Sequence, residues 1–256
     1  VTARFVPLPP REAIAALRTR GADLPESFAW QEFYAEDHAA MFTVAKSAGY
    51  DILDDIYQAL LAALEDGKTF AQFSRELEAV LRDKGWWGRK QAVDPATGET
   101  RVVQLGSPRR LETIFNVNMR VSYAAGHWSR FQRQKADRPF LRYVAILDER
   151  TRDSHASLHN LVLPVDHPFW TLYAPPNGWN CRCTLQNLTQ ADIDRLLAAG
   201  VPLRFEPPDI TFRDWTNKRT GEVRRVPDGI DPGWDYNPGA AGHRVTVERL
   251  ADKIGR

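Results

Sequence analysis

The chain of 256 residues is 43% hydrophobic and 26% charged, the make-up of an ordinary water-soluble fold with length for one large domain or two small ones. It has no apolar run near the ~18–20 residues that cross a bilayer, and its net charge of +1 gives it no whole-molecule field for nucleic acid. Its two cysteines, Cys181 and Cys183, are too few for a disulfide framework and too close for an unstrained bridge, so they are free thiols or metal ligands.

Residues 1–28 read as an N-terminal arm. Pro7, Pro9 and Pro10 break its start, which therefore does not resemble a secretory signal and points to synthesis in a cytoplasm; 11–18 is its one short helical pattern. Residues 29–137 read as a helical domain. The stretch 37–46 puts His38, Met41, Phe42 and Ala45 on one face, and 51–66 repeats the period with Ile52, Ile56, Leu60 and Leu64. Thr69 and Gln72 form a capping box ahead of Phe70, Phe73, Leu77 and Val80, and Gly49, Gly67 and Gly85 are the three helix stops. Asp94, Pro95 and Gly98 mark a turn between two β-like runs, which predicts a small hairpin near 92–104 inserted between helices. Ser107 as N-cap and Pro108 in the first turn then open a long connecting helix over 107–135, about 40 Å in length. Its apolar stripe runs from Leu111, Ile114, Phe115, Met119 and Tyr123 to Trp128 and Phe131.

Residues 138–200 read as a small α+β domain: a strand at 141–147, a short helix at 151–159, a strand-like 161–163, an aromatic and proline-rich loop over 166–180, a strand at 182–185, and a last helix capped by Thr189 and ended by Gly200. From 201 to 256 the chain is dense in Pro, Gly and Trp. It reads as an extended tail without long regular elements, laid over a neighbour. The predicted fold class is α+β throughout.

The stretch 143–185 carries the most information. Asp148, Arg150 and Thr151 make a D-x-R-T turn into a helix bearing His155, and Pro175, Pro176, Asn180, Cys181, Arg182, Cys183 and Thr184 make a P-P…N-C-R-C-T return. This arrangement resembles the phage Mu protein F-like family of minor capsid proteins. The helical stretch 112–126 and the G-I-D-P-G-W-D-Y-N-P-G run at 229–239 carry the resemblance over roughly 107–240. Many members of the family place C-x-x-C after the D-x-R-T turn, where this chain has Arg152 and His155. The resemblance implies a structural, non-enzymatic role in head morphogenesis, as a minor capsid protein associated with the portal or the inner capsid shell. Its implied partners are portal, major capsid or scaffold proteins, with no membrane, and its implied place is the virion head after synthesis in the host cytoplasm.

Three chemistries are open to these residues. His155 and His159 are four apart, on one face of a helix, and Cys181 and Cys183 are two apart, on one face of a strand, so the four could close a tetrahedral structural zinc site. The alternative is packing, with His155 hydrogen-bonded to the loop and the cysteines as small apolar groups. A Cys-His pair could also serve as nucleophile and base, but the chain shows no phosphate loop, H-E-x-x-H or G-x-S-x-G, and Asp148 and Thr151 have a simpler role in satisfying a turn. Finally, Arg130, Arg133, Lys135, Arg138 and Arg142 form a basic cluster that could meet packaged DNA phosphates without reading sequence, or be a solvated helix face. The rival functions are therefore the delivery part of a phage-associated effector, or a zinc-binding, DNA-contacting module.

Overall fold

The computed structural model describes residues 9–254; the first eight residues of the expected arm, Pro7 among them, lie outside it. Helix α1 (Arg11–Arg20) has Glu12 in its first turn and Arg18 and Arg20 in its last, each suited to the helix dipole, and buries Ala13, Ile14 and Leu17. The helix expected over 37–46 is cut to α2 (Asp37–Ala40). From Met41 the chain is extended: Phe42 donates its amide to Asp23, and Ala45 bridges Ser27. Phe42 and Val44 enter the core, while His38, Met41 and Ala45 are only half-buried, because an extended chain turns alternate residues inward where a helix would not.

Helix α3 (Leu53–Asp66) buries Ile56, Leu60 and Leu64 and stops at left-handed Gly67. In α4 (Phe70–Asp83) both halves of the Thr69–Gln72 capping box are formed, and Leu81 rather than Val80 completes the buried stripe with Phe73 and Leu77. The inserted hairpin is β1 (Arg89–Val93) and β2 (Thr100–Gln104), in antiparallel register.

The long helix α5 (Pro108–Gln134) has 27 residues, with the Ser107 hydroxyl accepting from the Arg110 amide. Its first half belongs to the N-terminal core through Leu111 and Ile114, and its second half to the next core through Val121 and Phe131. Gly126 is where α1 crosses it. A Cβ there would lie 2.8 Å from the Ala13 backbone nitrogen, so only glycine allows this approach.

The second core forms on a three-stranded antiparallel sheet with β3 (Phe140–Val144) at its centre. After β3 come α6 (Asp153–Ala156), β4 (Val162–Pro164), α7 (Phe169–Tyr173), β5 (Thr184–Leu188) and α8 (Gln190–Ala198), and the sheet order is β4-β3-β5. Since β5 begins at Thr184, Cys181 and Cys183 lie in the turn that leads into it and not on a strand. Leu141, Tyr143, Leu163, Phe169 and Trp170 fill the core, joined by Ile230 and Trp234 from beyond residue 201.

The tail is not the extended run that its composition suggests. It forms a hairpin, β6 (Phe212–Thr216) with β7 (Val223–Pro227), and a 17-residue helix α9 (Pro238–Ile254) that packs on α5 and α2. Asn237 starts α9 by accepting from the amides of Gly239 and Ala240, and Pro238 occupies the first turn. The prolines and glycines lie mainly in the connections. The partner that the tail covers is this chain itself: Trp215 stacks on Trp30 and Tyr34, and Arg219 pairs with Asp94 of the inserted hairpin and with Glu32.

The α1–α5 crossing gives a test. In an open helix interior Gly→Ala gains about 1 kcal/mol, but Gly126→Ala should instead lose about 1–3 kcal/mol as α1 is pushed away. Urea denaturation of the pair measures it, and a gain in stability would show that the helices do not touch at this point.

Candidate metal centre

The site is assembled where three segments meet: the turn after β3, the return loop before β5, and the stretch 229–234 of the tail. The D-x-R-T turn comes first. Asp148 accepts from the Arg150 amide at 3.0 Å, and the Thr151 hydroxyl bonds the Ile146 carbonyl, so the short polar side chains close the turn as their type predicts. Arg182 of the return loop then grips the same carboxylate with both terminal nitrogens, Nη1 to Oδ2 at 2.8 Å and Nη2 to Oδ1. The Arg182 hydrogen bond holds the Asp148 carboxyl well below the usual carboxylate range, helped by the Arg150 amide. Arg150 itself is 79% exposed with its guanidinium 3.8 Å from Asp148, so Arg182 is the principal partner.

The return loop is shaped by backbone needs. Asn180 has φ +59°, a left-handed conformation that asparagine tolerates better than most residues. Gly178 is pressed on Asp231, whose Oδ2 would be 2.3 Å from an added Cβ. Asp231 is a hub: its Oδ2 accepts from the Trp179 amide and from Arg152, each at 2.9 Å, and its own amide donates to the Asn177 carbonyl. Arg120 of α5 reaches the carbonyl of Cys181 from behind.

His155 is buried at the centre. Its Nε2 is 3.0 Å from the carbonyl of Gly229. A carbonyl can only accept, so Nε2 carries the proton, and in the neutral ring Nδ1 presents a lone pair. Nδ1 faces the two sulfurs: it is 3.9 Å from Cys183 Sγ, and the three donor atoms of His155, Cys181 and Cys183 all lie within 4.8 Å of one another. A tetrahedral zinc would want sulfur–nitrogen separations of about 3.6 Å, so the set needs only a small contraction. An imidazole that donates its far N–H to a carbonyl is also the usual support of a metal-bound histidine. The donor set thus fits a zinc ion on three sides.

The thiols are strongly coupled. The neighbouring Cys183 pulls the Cys181 thiol down against its burial, helped by His155, while Cys181 and then burial push the Cys183 thiol up. Tyr143 borders the pair; burial raises its phenol well above its ordinary value, and its hydroxyl donates to Asn177 at 2.9 Å.

His159, expected as fourth ligand, is not in this cluster. Its Nδ1 accepts from the Ala145 amide at 3.1 Å, which fixes the ring beside β3. The reason is the length of α6: it ends at Ala156, so the helical i, i+4 relation to His155 does not hold. The basic cluster is likewise dispersed. Arg133 pairs with Glu12, Lys135 with Asp166 and Arg138 with Asp192, while Arg142 is held by Asn160 and Gln186. Of the five, only Arg130 makes no ion pair or side-chain hydrogen bond among the described residues. Sequence reasoning missed Gly229, Asp231 and Arg152 as parts of the site, although the G-I-D-P-G-W run was the signal that could have found the first two.

A profile described as phage Mu protein F like protein matches residues 54–186, just over half of the sequence. The chain belongs to the phage Mu protein F-like family. It is 39% identical over 247 residues to the putative capsid assembly protein F of Escherichia phage Mu, covering 91% of this chain and 55% of that protein. To the Mu-like prophage FluMu F protein of Haemophilus influenzae it is 33% identical over 240 residues, covering 88% and 56%. The chain thus spans about half the length of these curated relatives. No solved structure matches it. The matched profile ends at 186 and so takes in the turn and the return, while the alignments to the two relatives, over 91% and 88% of this chain, extend beyond it.

The Asp148–Arg182 clamp has a pH signature. The folded Asp148 pKa lies below its unfolded value of about 3.9, so its stabilisation is complete above roughly pH 5 and is lost as pH falls through the folded value. The stability difference between wild type and Asp148→Asn should therefore be flat from about pH 5 to 7 and shrink below about pH 4. Urea midpoints across that range measure it; a difference that does not change with pH would mean that the clamp is not an ion pair.

Proposed function

We propose that this chain is a structural head-assembly protein of a tailed bacteriophage, a minor capsid component that works at the portal or the inner capsid shell. The observation that supports this reading is how the motif spends its polar groups. Asp148 is bound by Arg182, His155 by Gly229, and Asp231 by Arg152 and the Trp179 amide, so the groups that could do acid–base chemistry tie one stretch of chain to another. Such a site fastens a fold. The relative from Escherichia phage Mu is named a putative capsid assembly protein, in keeping with a protein that presents a rigid surface to head proteins. With its basic residues mostly engaged at home, the reading as a DNA-contacting module draws no support from the geometry.

Within this reading, His155, Cys181 and Cys183 bind one zinc ion as a structural staple, with the fourth position filled by water or by a ligand from a partner. Bound zinc would hold the return loop to α6 and link the two sulfurs through the metal.

Two measurements test the proposal. Quantitative mass spectrometry of purified virions should find this chain at low copy relative to the major shell protein, and its absence would reduce it to a transient factor or a protein outside the particle. Metal analysis of the purified protein should find about one equivalent of zinc, lost in Cys181→Ser or Cys183→Ser and kept in His159→Ala. Metal-free protein of unchanged stability would remove the staple, and loss of zinc in His159→Ala would restore the four-residue site.

A further inference from the structure

A second site lies away from the motif, in a cavity of about 170 Å³ between the end of α1, the middle of α5 and the tail around Trp234. Its walls are mainly apolar and aromatic, with Val117 of α5 facing Trp179 and Trp234 across it. A cavity of roughly 150 Å³ is large enough for a benzene-sized body.

Arg20 opens into this space and is 6% exposed. Its Nη2 donates to Asn118 Oδ1 at 2.8 Å and its guanidinium carbon lies 5.7 Å from the Phe42 ring centre, but no protein group among the described residues accepts from Nε or Nη1. Among the described residues it forms no ion pair, and no aspartate or glutamate lines the cavity. The nearby acids are committed elsewhere: Asp37 accepts from the Tyr34 amide, Glu36 pairs with Arg244, and Asp235 accepts from the Gly233 amide. The one group whose charge would favour Arg20 is Tyr236, and burial pushes that phenol up to about 12, so it stays neutral. His38, also on the wall, is held down to about 4 by burial and then by the Arg20 charge. Arg110 adds a second, half-buried cation to the wall; its guanidinium hydrogen-bonds only carbonyls, those of Ala45, Gln104 and Leu105.

A guanidinium does not shed its proton, and water can accept its hydrogen bonds without neutralising it. A buried cation with unbonded N–H groups, beside a half-buried second one, facing an acid-free, aromatic-walled space therefore calls for an anion with an apolar body. We propose that this cavity binds a small organic carboxylate of about the size of a benzene ring, its carboxylate meeting the free N–H groups of Arg20 and its body lying against Val117 and Trp234. The inference is independent of the metal centre and of the head-assembly reading.

The probe is benzoate, with benzamide as the neutral molecule of the same shape, in thermal unfolding of the full chain. Benzoate should raise Tm progressively with its concentration, by about 5–10 °C at roughly a hundred times its Kd, and benzamide should not. Arg20→Met removes the charge and Val117→Phe fills the space without touching it, and each should abolish the benzoate response. Should Arg20→Met fail to fold, the benzamide control and Val117→Phe decide the matter. The proposal is overturned by no response in the wild type, by equal responses to the two probes, or by a benzoate response that survives Val117→Phe.

Discussion

His155 donates from Nε2 to the carbonyl of Gly229 at 3.0 Å, and the character of the whole motif depends on that bond. It fixes the tautomer, so the lone pair at Nδ1 is directed at Cys181 and Cys183. It also makes the site depend on a residue that is 74 positions away in sequence. Gly229 can hold its carbonyl there only if the tail is docked, and Asp231, two residues on, locks that docking by binding both Arg152 beside α6 and the Trp179 amide in the return loop. A donor set that looks local in sequence is thus a property of the assembled molecule.

The same logic runs through the architecture. Helix α5 is shared by two cores and would by itself leave them joined as two beads on a rod. The tail closes the arrangement. Ile230 and Trp234 complete the core next to the metal centre, Trp215 and Arg219 fasten onto Trp30, Tyr34, Glu32 and Asp94 in the N-terminal half, and α9 packs on α5 and α2. Arg219 reaches Asp94 across 125 residues of sequence, so closing such contacts carries a large loop-closure entropy cost. The result is a surface set by long-range ties.

Where local chemistry decides structure, the sequence was readable. The Thr69–Gln72 box, the Ser107–Pro108 start and the Thr189 cap each appear where side-chain type places them, because a cap is satisfied within four residues. The turn at Asp148 and the pairing of Cys181 with Cys183 near His155 were legible for the same reason, aided by the family resemblance. The misses share a cause as well. Residues 41–45 have a helical pattern but pair with the backbone at 23–28, a tertiary contact that no window reveals. His159 was placed by helical spacing that α6 is too short to supply. The tail was read from its composition as extended, yet its prolines and glycines only punctuate a hairpin and a helix, with the Asn237–Pro238 start as the overlooked signal.

The most direct test of this account is the tautomer of His155 in solution, read from the nitrogen chemical shifts of its ring in a long-range proton–nitrogen correlation spectrum. The structure predicts a proton on Nε2 and a bare Nδ1, with the proton protected from solvent exchange by its bond to Gly229. A bare Nε2 with the proton on Nδ1 would contradict it, since the ring would then be released from the tail and its lone pair turned away from the two cysteines.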